Sequence, residues 1–163
     1  MSQRAQIQGQ IFVFLLALVI VGVILFLGYK GVDMMIKQGD KVQLDEFKRA
    51  VIDDANLYQD YGSTSEAIKY TLPSSIKYVC FLEMGAYNLA NEICTPSSDS
   101  YQSLACDAWD KKTASVFTIP PKISDLKITT LNVQGGAFCA ETVLGNIKVT
   151  YEGLGDKTLI KKA

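Results

Sequence analysis

The run Ile11 to Tyr29, I-F-V-F-L-L-A-L-V-I-V-G-V-I-L-F-L-G-Y, constrains this chain more than any other feature. No charged residue occurs from Ala5 to Tyr29. Fifteen of the nineteen residues in the run are Leu, Ile, Val or Phe, and they surround a helix on every face, unlike an amphipathic surface helix. At about 1.5 Å per residue the run spans roughly 29 Å, the hydrocarbon thickness of a bilayer. Each large apolar residue near the helix centre favours insertion by about 0.3 to 0.6 kcal/mol, so the total is several kcal/mol. A buried core helix would need a larger protein to wrap it. A cleaved secretory signal would carry a shorter apolar run and an A-x-A-like site before Lys30. The segment therefore reads as a retained transmembrane helix, with the lipid bilayer as its partner.

Residues 1–29 form the amino-terminal flank and membrane segment, and the 134 residues that follow carry fifteen basic and seventeen acidic side chains. That length suffices for one core. The net charge of the whole chain is -1, which gives nucleic acid no electrostatic purchase. There is no histidine, so histidine triads, histidine metal ligands and histidine pH switches are excluded together.

Past Tyr29 the helical pattern continues. Leu44, Phe47, Val51, Ala55 and Tyr58 recur at steps of three and four, opposite a charged face that includes Asp45, Lys48, Arg49, Asp53 and Asp54. Residues 30–62 thus read as an amphipathic stalk whose stripe packs on one face of the head. Gly39 can mark a kink, and Gly62 a stop. Residues 63–163 read as a β-rich head. Expected strands are Ile68 to Leu72, Ile76 to Glu83 (apolar on both faces, as in a central strand), Val116 to Ile119, Leu126 to Val133, Ala137 to Ala140, Ile147 to Tyr151 and Thr158 to Lys161. Gln134-Gly135-Gly136 suggests a hairpin between the fourth and fifth of these. Between Gly85 and Lys112 the pattern fails, and a loop with a short helix around Leu104 to Trp109 is expected. The fold class is α+β: a long amino-terminal helix, transmembrane then amphipathic, followed by a mainly antiparallel β head.

The four cysteines, Cys80, Cys94, Cys106 and Cys139, lack the paired C-x-x-C spacing of zinc sites. Free buried thiols remain one reading. Two disulfides are the favoured one, and they place the head in an oxidising, extracytoplasmic space. Of three connectivities, Cys80 with Cys139 would tie two strands, and Cys94 with Cys106 would close the polar stretch Thr95 to Ser100, which apolar burial could not order. A loop of that size is stabilised by about 3 kcal/mol on closure. The charges flanking the membrane segment, Arg4 on one side and Lys30, Lys37 and Lys41 on the other, favour a cytoplasmic head. Long domains cross regardless of such counts, and the cysteines decide the orientation outward.

No constellation nominates an enzyme, a cofactor or a metal site. Asp53 and Asp54 are adjacent on a helix and so point to different faces, and Asp107 and Asp110 flank Trp109 as solvated acids. No calcium loop accompanies Asp99, Asp107 and Asp110. The glycine pairs lack the strand-to-helix setting of a phosphate loop.

Arg4-Ala5-Gln6-Ile7 and Gln8-Gly9-Gln10-Ile11, placed directly before the apolar run, resemble the class III signal sequences of archaeal type IV pilin-like proteins. The architecture is similar too, and Val79-Cys80-Phe81 and Phe138-Cys139 resemble strands of a group of archaeal single-pass membrane proteins. The resemblance implies a prepilin peptidase cutting after Ala5 or Gly9, and a mature helix, beginning at Gln6 or Gln10, that polymerises with identical subunits into a filament. Glutamate is common at the fifth mature position of pilins; here that position is Gln10 or Phe14, depending on the cut. The expected function is a membrane-anchored, surface-exposed structural subunit resembling a pilin or pseudopilin. The alternative is a monomeric single-pass surface protein whose head binds a ligand or an envelope component.

Overall fold

A computed structural model describes the backbone of residues 3–61 and 64–163, and the side chains of residues 12–36, 38–59 and 64–163. The chain divides into two compact units, residues 1–39 and 40–163. The helix α1, Gln3–Tyr61, belongs to both. Its amphipathic half from Asp40 onward is therefore counted with the β head, and the assignment runs unbroken through Gly39. The expected stop at Gly62 lies outside the described residues.

In the first unit, every described side chain from Phe12 to Ile36 is exposed. Among the described residues, α1 is the one helix long and apolar enough to cross a membrane. At the end of its apolar run the Lys30 ammonium folds back over the Phe26 ring, 4.7 Å from its centroid, keeping its stem on apolar surface as lysines do at a polarity boundary.

The second unit is α+β. Its strands are β1 (Ile68–Thr71), β2 (Tyr78–Leu82), β3 (Val116–Ile119), β4 (Leu131–Val133), β5 (Ala137–Glu141), β6 (Asn146–Gly153) and β7 (Thr158–Lys162), with a short helix α2 (Ser103–Asp110) before β3. They form two sheets, ordered β1-β6-β7-β4 and β3-β2-β5. All pairings are antiparallel except β4 with β7. Alternation decides which side chains meet. Ile147, Val149 and Tyr151 of β6 share one face and join Val79 and Phe81 of β2 in a single core. The opposite face of β2, with Cys80 and Leu82, packs in a second cluster against Trp109 and Ala105 of α2. β2 is thus covered on both faces, as its apolar run requires.

Two expectations are corrected. Leu126 to Val133 is not one strand: only Leu131–Val133 pairs, while Leu126 forms an isolated bridge to Val116. The buried residues reveal why, since Leu126 and Ile128 alternate in one phase and Leu131 and Val133 in the other. A turn at Thr129–Thr130 takes up the slip. Nor is there a hairpin at Gln134-Gly135-Gly136. Gly135 and Gly136, at φ 71° and 83°, carry the chain from one sheet to the other: β4 pairs with β7, and β5 with β2.

Candidate functional site

Two surfaces carry the chemistry: the bare apolar half of α1, and the seam where its amphipathic half meets the head. In the seam, Phe47, Val51 and Ala55 are fully buried in the main core, and Leu44 and Tyr58 are half-buried against it. The five residues of the helical stripe are therefore brought together. Phe47 meets Tyr70 of β1 edge-on, with centroids 5.5 Å apart, and Tyr58 stacks in parallel on Tyr151 of β6 at 5.8 Å. Such pairs add about 0.5 to 1.5 kcal/mol beyond burial. The Thr158 hydroxyl, fully buried, donates to the Ala55 carbonyl at 2.5 Å. At the rim the Lys48 ammonium lies 3.2 Å from the Asp125 carboxylate, and the Gln59 amide donates to the Asp156 carbonyl at 2.9 Å.

A polar chain crosses this seam that sequence reasoning missed. The Tyr70 hydroxyl is bonded to the Asp54 carboxylate and lies 3.0 Å from the Tyr151 hydroxyl. A carboxylate only accepts, so the single Tyr70 proton goes to Asp54, and Tyr151 donates to Tyr70 in turn. Burial first, then the neighbouring Tyr151 and Asp54, holds the Tyr70 phenol far above the usual tyrosine range. Burial likewise raises Tyr151. Both therefore stay protonated and serve as donors, which is what a buried hydroxyl needs to remain satisfied. Asp54, expected on the solvated face, is half-buried instead; Asp53 is exposed. The missed signal was long range, because nothing in the helix pattern says that a tyrosine from β1 reaches across. At the rim, Lys48 holds the Asp125 carboxyl below its ordinary range through their hydrogen bond and charge.

The structure joins Cys80 to Cys139 and Cys94 to Cys106. The first bond links directly opposed residues of β2 and β5. The second ties the turn Glu92–Cys94 to α2 across the polar loop. Asn91 caps that turn by accepting from the Ile93 amide, and its own amide donates to the Gly135 carbonyl at 2.9 Å, fastening the loop to the β4–β5 corner. Trp109 is fully buried, donates to the Glu83 carbonyl at 2.8 Å and meets Tyr87 edge-on. It is a core anchor.

Asp107 and Asp110 are exposed on α2, with Asp107 paired to Lys111 at 2.7 Å. Among the described residues no group of three or more Cys, Asp and Glu side chains could hold a metal ion. The side chains at the expected processing site, Arg4, Ala5, Gln6, Gly9 and Gln10, lie outside the described residues. No family model, curated protein or solved structure matches this chain.

Proposed function

We propose that the chain is a single-pass, membrane-anchored structural subunit resembling a pilin or pseudopilin, with its head on the extracytoplasmic side. One observation carries the reading: the described residues of α1 before the head expose apolar side chains all round, while the same helix past Asp40 is built into a head core. Water does not tolerate the first half as a free surface, and a bilayer or a bundle of identical helices does. Gly22 and Gly28 have open space where a side chain would stand, which supports close approach of a neighbouring helix. The two disulfides support an oxidising compartment.

In this reading a prepilin peptidase removes the residues before Gln6 or Gln10, and the released helix assembles with its copies. The head is an adhesive or structural cap rather than an enzyme. Electron microscopy of surface material, with intact-mass measurement of the purified chain, tests it. Filaments whose subunit mass begins at Gln6 or Gln10 are expected. An intact Met1 in membranes without filaments would overturn assembly and leave the monomeric surface protein as the function.

A further inference from the structure

A sheet presents unpaired backbone groups at its edges, and the edges of this head are treated differently. At the outer edge of β3, the Val116 amide donates to the Leu126 carbonyl and the Thr118 amide to the Ile123 carbonyl, at 3.2 and 3.1 Å. At the outer edge of β4, the Val133 amide donates to the Glu83 carboxylate at 3.2 Å, and the Val133 carbonyl accepts from the Gly136 amide at 2.8 Å. β1 is four residues long and carries the exposed Lys69, a charge of the kind that keeps an edge from pairing. The middle of β5 has no such covering.

Alternation in an antiparallel pair fixes which β5 groups point outward. The Glu83 amide donates to the Gly136 carbonyl and the Thr142 amide to the Lys77 carbonyl, at 2.9 and 2.8 Å. With Cys139 opposite Cys80, the even-numbered residues from Gly136 to Thr142 bond β2, and the odd-numbered ones turn away from it. Both ends of that outward row are occupied. The Ala137 carbonyl accepts from the Asn91 side-chain amide at 3.3 Å. Val143 exchanges backbone hydrogen bonds with Asn146, at 2.9 and 3.0 Å, closing the two-residue turn Leu144-Gly145. Past this turn β6 leaves for the other sheet, so β5 loses the neighbour that a hairpin would have supplied. Between the two ends stand the amides and carbonyls of Cys139 and Glu141, and among the described residues no protein group bonds them.

Cys139 and Glu141 border two adjoining hollows that share Ser100, Cys139 and Lys162. Three exposed acids line these hollows, Glu92, Asp99 and Glu141, against a single base, Lys162. None of the three acids has an ion-pair partner among the described residues. An extended backbone laid here meets donors and acceptors in ladder order, and its side chains meet a negative field.

We propose that the open middle of β5 binds an extended, basic peptide segment of a partner protein. The segment joins the β3-β2-β5 sheet as a further strand, with Lys or Arg side chains towards Glu92, Asp99 and Glu141. Main-chain hydrogen bonds to Cys139 and Glu141 hold the strand, and the acids select its charge. The Cys80–Cys139 bond fastens the receiving strand to the centre of its sheet, which holds the edge in place before the peptide arrives. Every residue involved lies in the head unit, so binding at this edge requires nothing of the membrane segment.

The test is amide hydrogen exchange, followed residue by residue by NMR on the full chain in neutral detergent. In the free protein the Cys139 and Glu141 amides are expected to exchange about tenfold or more faster than those of Phe138 and Ala140, which bond β2. The probe is a blocked peptide of four Lys-Val repeats. Its addition should slow exchange at Cys139 and Glu141 by about tenfold or more. Its affinity should fall by about tenfold at high salt and in the triple variant Glu92→Gln, Asp99→Asn, Glu141→Gln, with smaller losses in the same direction for each single change. N-methylation of every second peptide residue removes the donors from one edge of the strand. One phase of methylation should therefore weaken binding about tenfold and the other should spare it. Slow exchange at Cys139 and Glu141 in the free protein would overturn the open edge. A peptide that does not bind, or that binds without protecting these two amides or equally in both methylation phases, would overturn strand addition. Equal binding of a Glu-Val repeat, or indifference to the acid changes, would overturn the choice of a basic partner.

Discussion

Phe47→Ala measures how far the head depends on the helix that enters it. Phe47 is 2 % exposed and lies in the main core against Tyr70. Truncating a buried phenylalanine costs about 3 to 5 kcal/mol, combining lost transfer energy with the cavity left behind. Phe47 lies inside a helix that runs unbroken from Gln3 to Tyr61, so the full range applies, about 3 to 5 kcal/mol. For a unit of this size the melting temperature falls by roughly 10 to 15 °C. The assay is guanidinium unfolding of the full chain in detergent, followed by Trp109 emission. Trp109 lies in the other core cluster, so it reports the seam only if the head unfolds as one. Leu57→Ala, at a residue 49 % exposed on the same helix, should stay within about 0.5 kcal/mol of the parent. A loss below about 1 kcal/mol for Phe47→Ala, or an unchanged Trp109 transition, would refute the claim that helix and sheets share one cooperative core.

Removing a disulfide pair should cost more for Cys80–Cys139, with 59 residues of separation, than for Cys94–Cys106, with 12. The chain-entropy model gives about 4 against about 3 kcal/mol, read as denaturation midpoints of the paired serine variants. Alkaline pH should destabilise the head. Tyr70 and Tyr151 have folded pKa values raised above the unfolded one, so their contribution is complete below about pH 10 and is lost as pH rises beyond it. The slope is about 1.4 kcal/mol per pH unit for each tyrosine, and Tyr70→Phe should roughly halve it in unfolding titrations. Gly145→Ala should lower stability by about 2 kcal/mol or more through the clash with Leu72, whereas the exposed Gly155→Ala meets nothing and carries only the cost of its positive φ.

What the sequence discloses and what it conceals divide along the range of the interactions. The stripe from Leu44 to Tyr58 shows itself because helical spacing is local, and burial follows the same spacing. β1, β3, β6 and β7 are legible for the same reason, since alternation between bounding turns needs no knowledge of a partner. The parallel pairing of β4 with β7 is not, because Leu131 and Thr158 meet only after the sheet has formed. The break at Thr129–Thr130 is visible in hindsight: two adjacent polar residues shift the phase of an apolar alternation. Ser115, Thr118 and Thr158 are fully buried, yet each looks like a surface residue in sequence. Their hydroxyls are occupied by backbone partners: Thr158 by the distant Ala55 carbonyl, Ser115 by the Ile128 amide and carbonyl, and Thr118 by the nearby Lys122 and Ile123 amides. The Leu144-Gly145 turn had a usable signal, a glycine in a two-residue gap between alternating runs, overshadowed by the glycine pair at 135 and 136.

The central claim is that the apolar half of α1 holds this protein in a membrane. The most direct measurement is alkaline carbonate washing of membranes from cells that make the full-length chain, followed by flotation and immunodetection. A peripheral protein comes away under these conditions, and a chain held by a helix of fifteen large apolar residues in nineteen stays in the bilayer. The protein is expected to float with the lipid after washing. Full-length protein recovered in the soluble fraction would contradict the account.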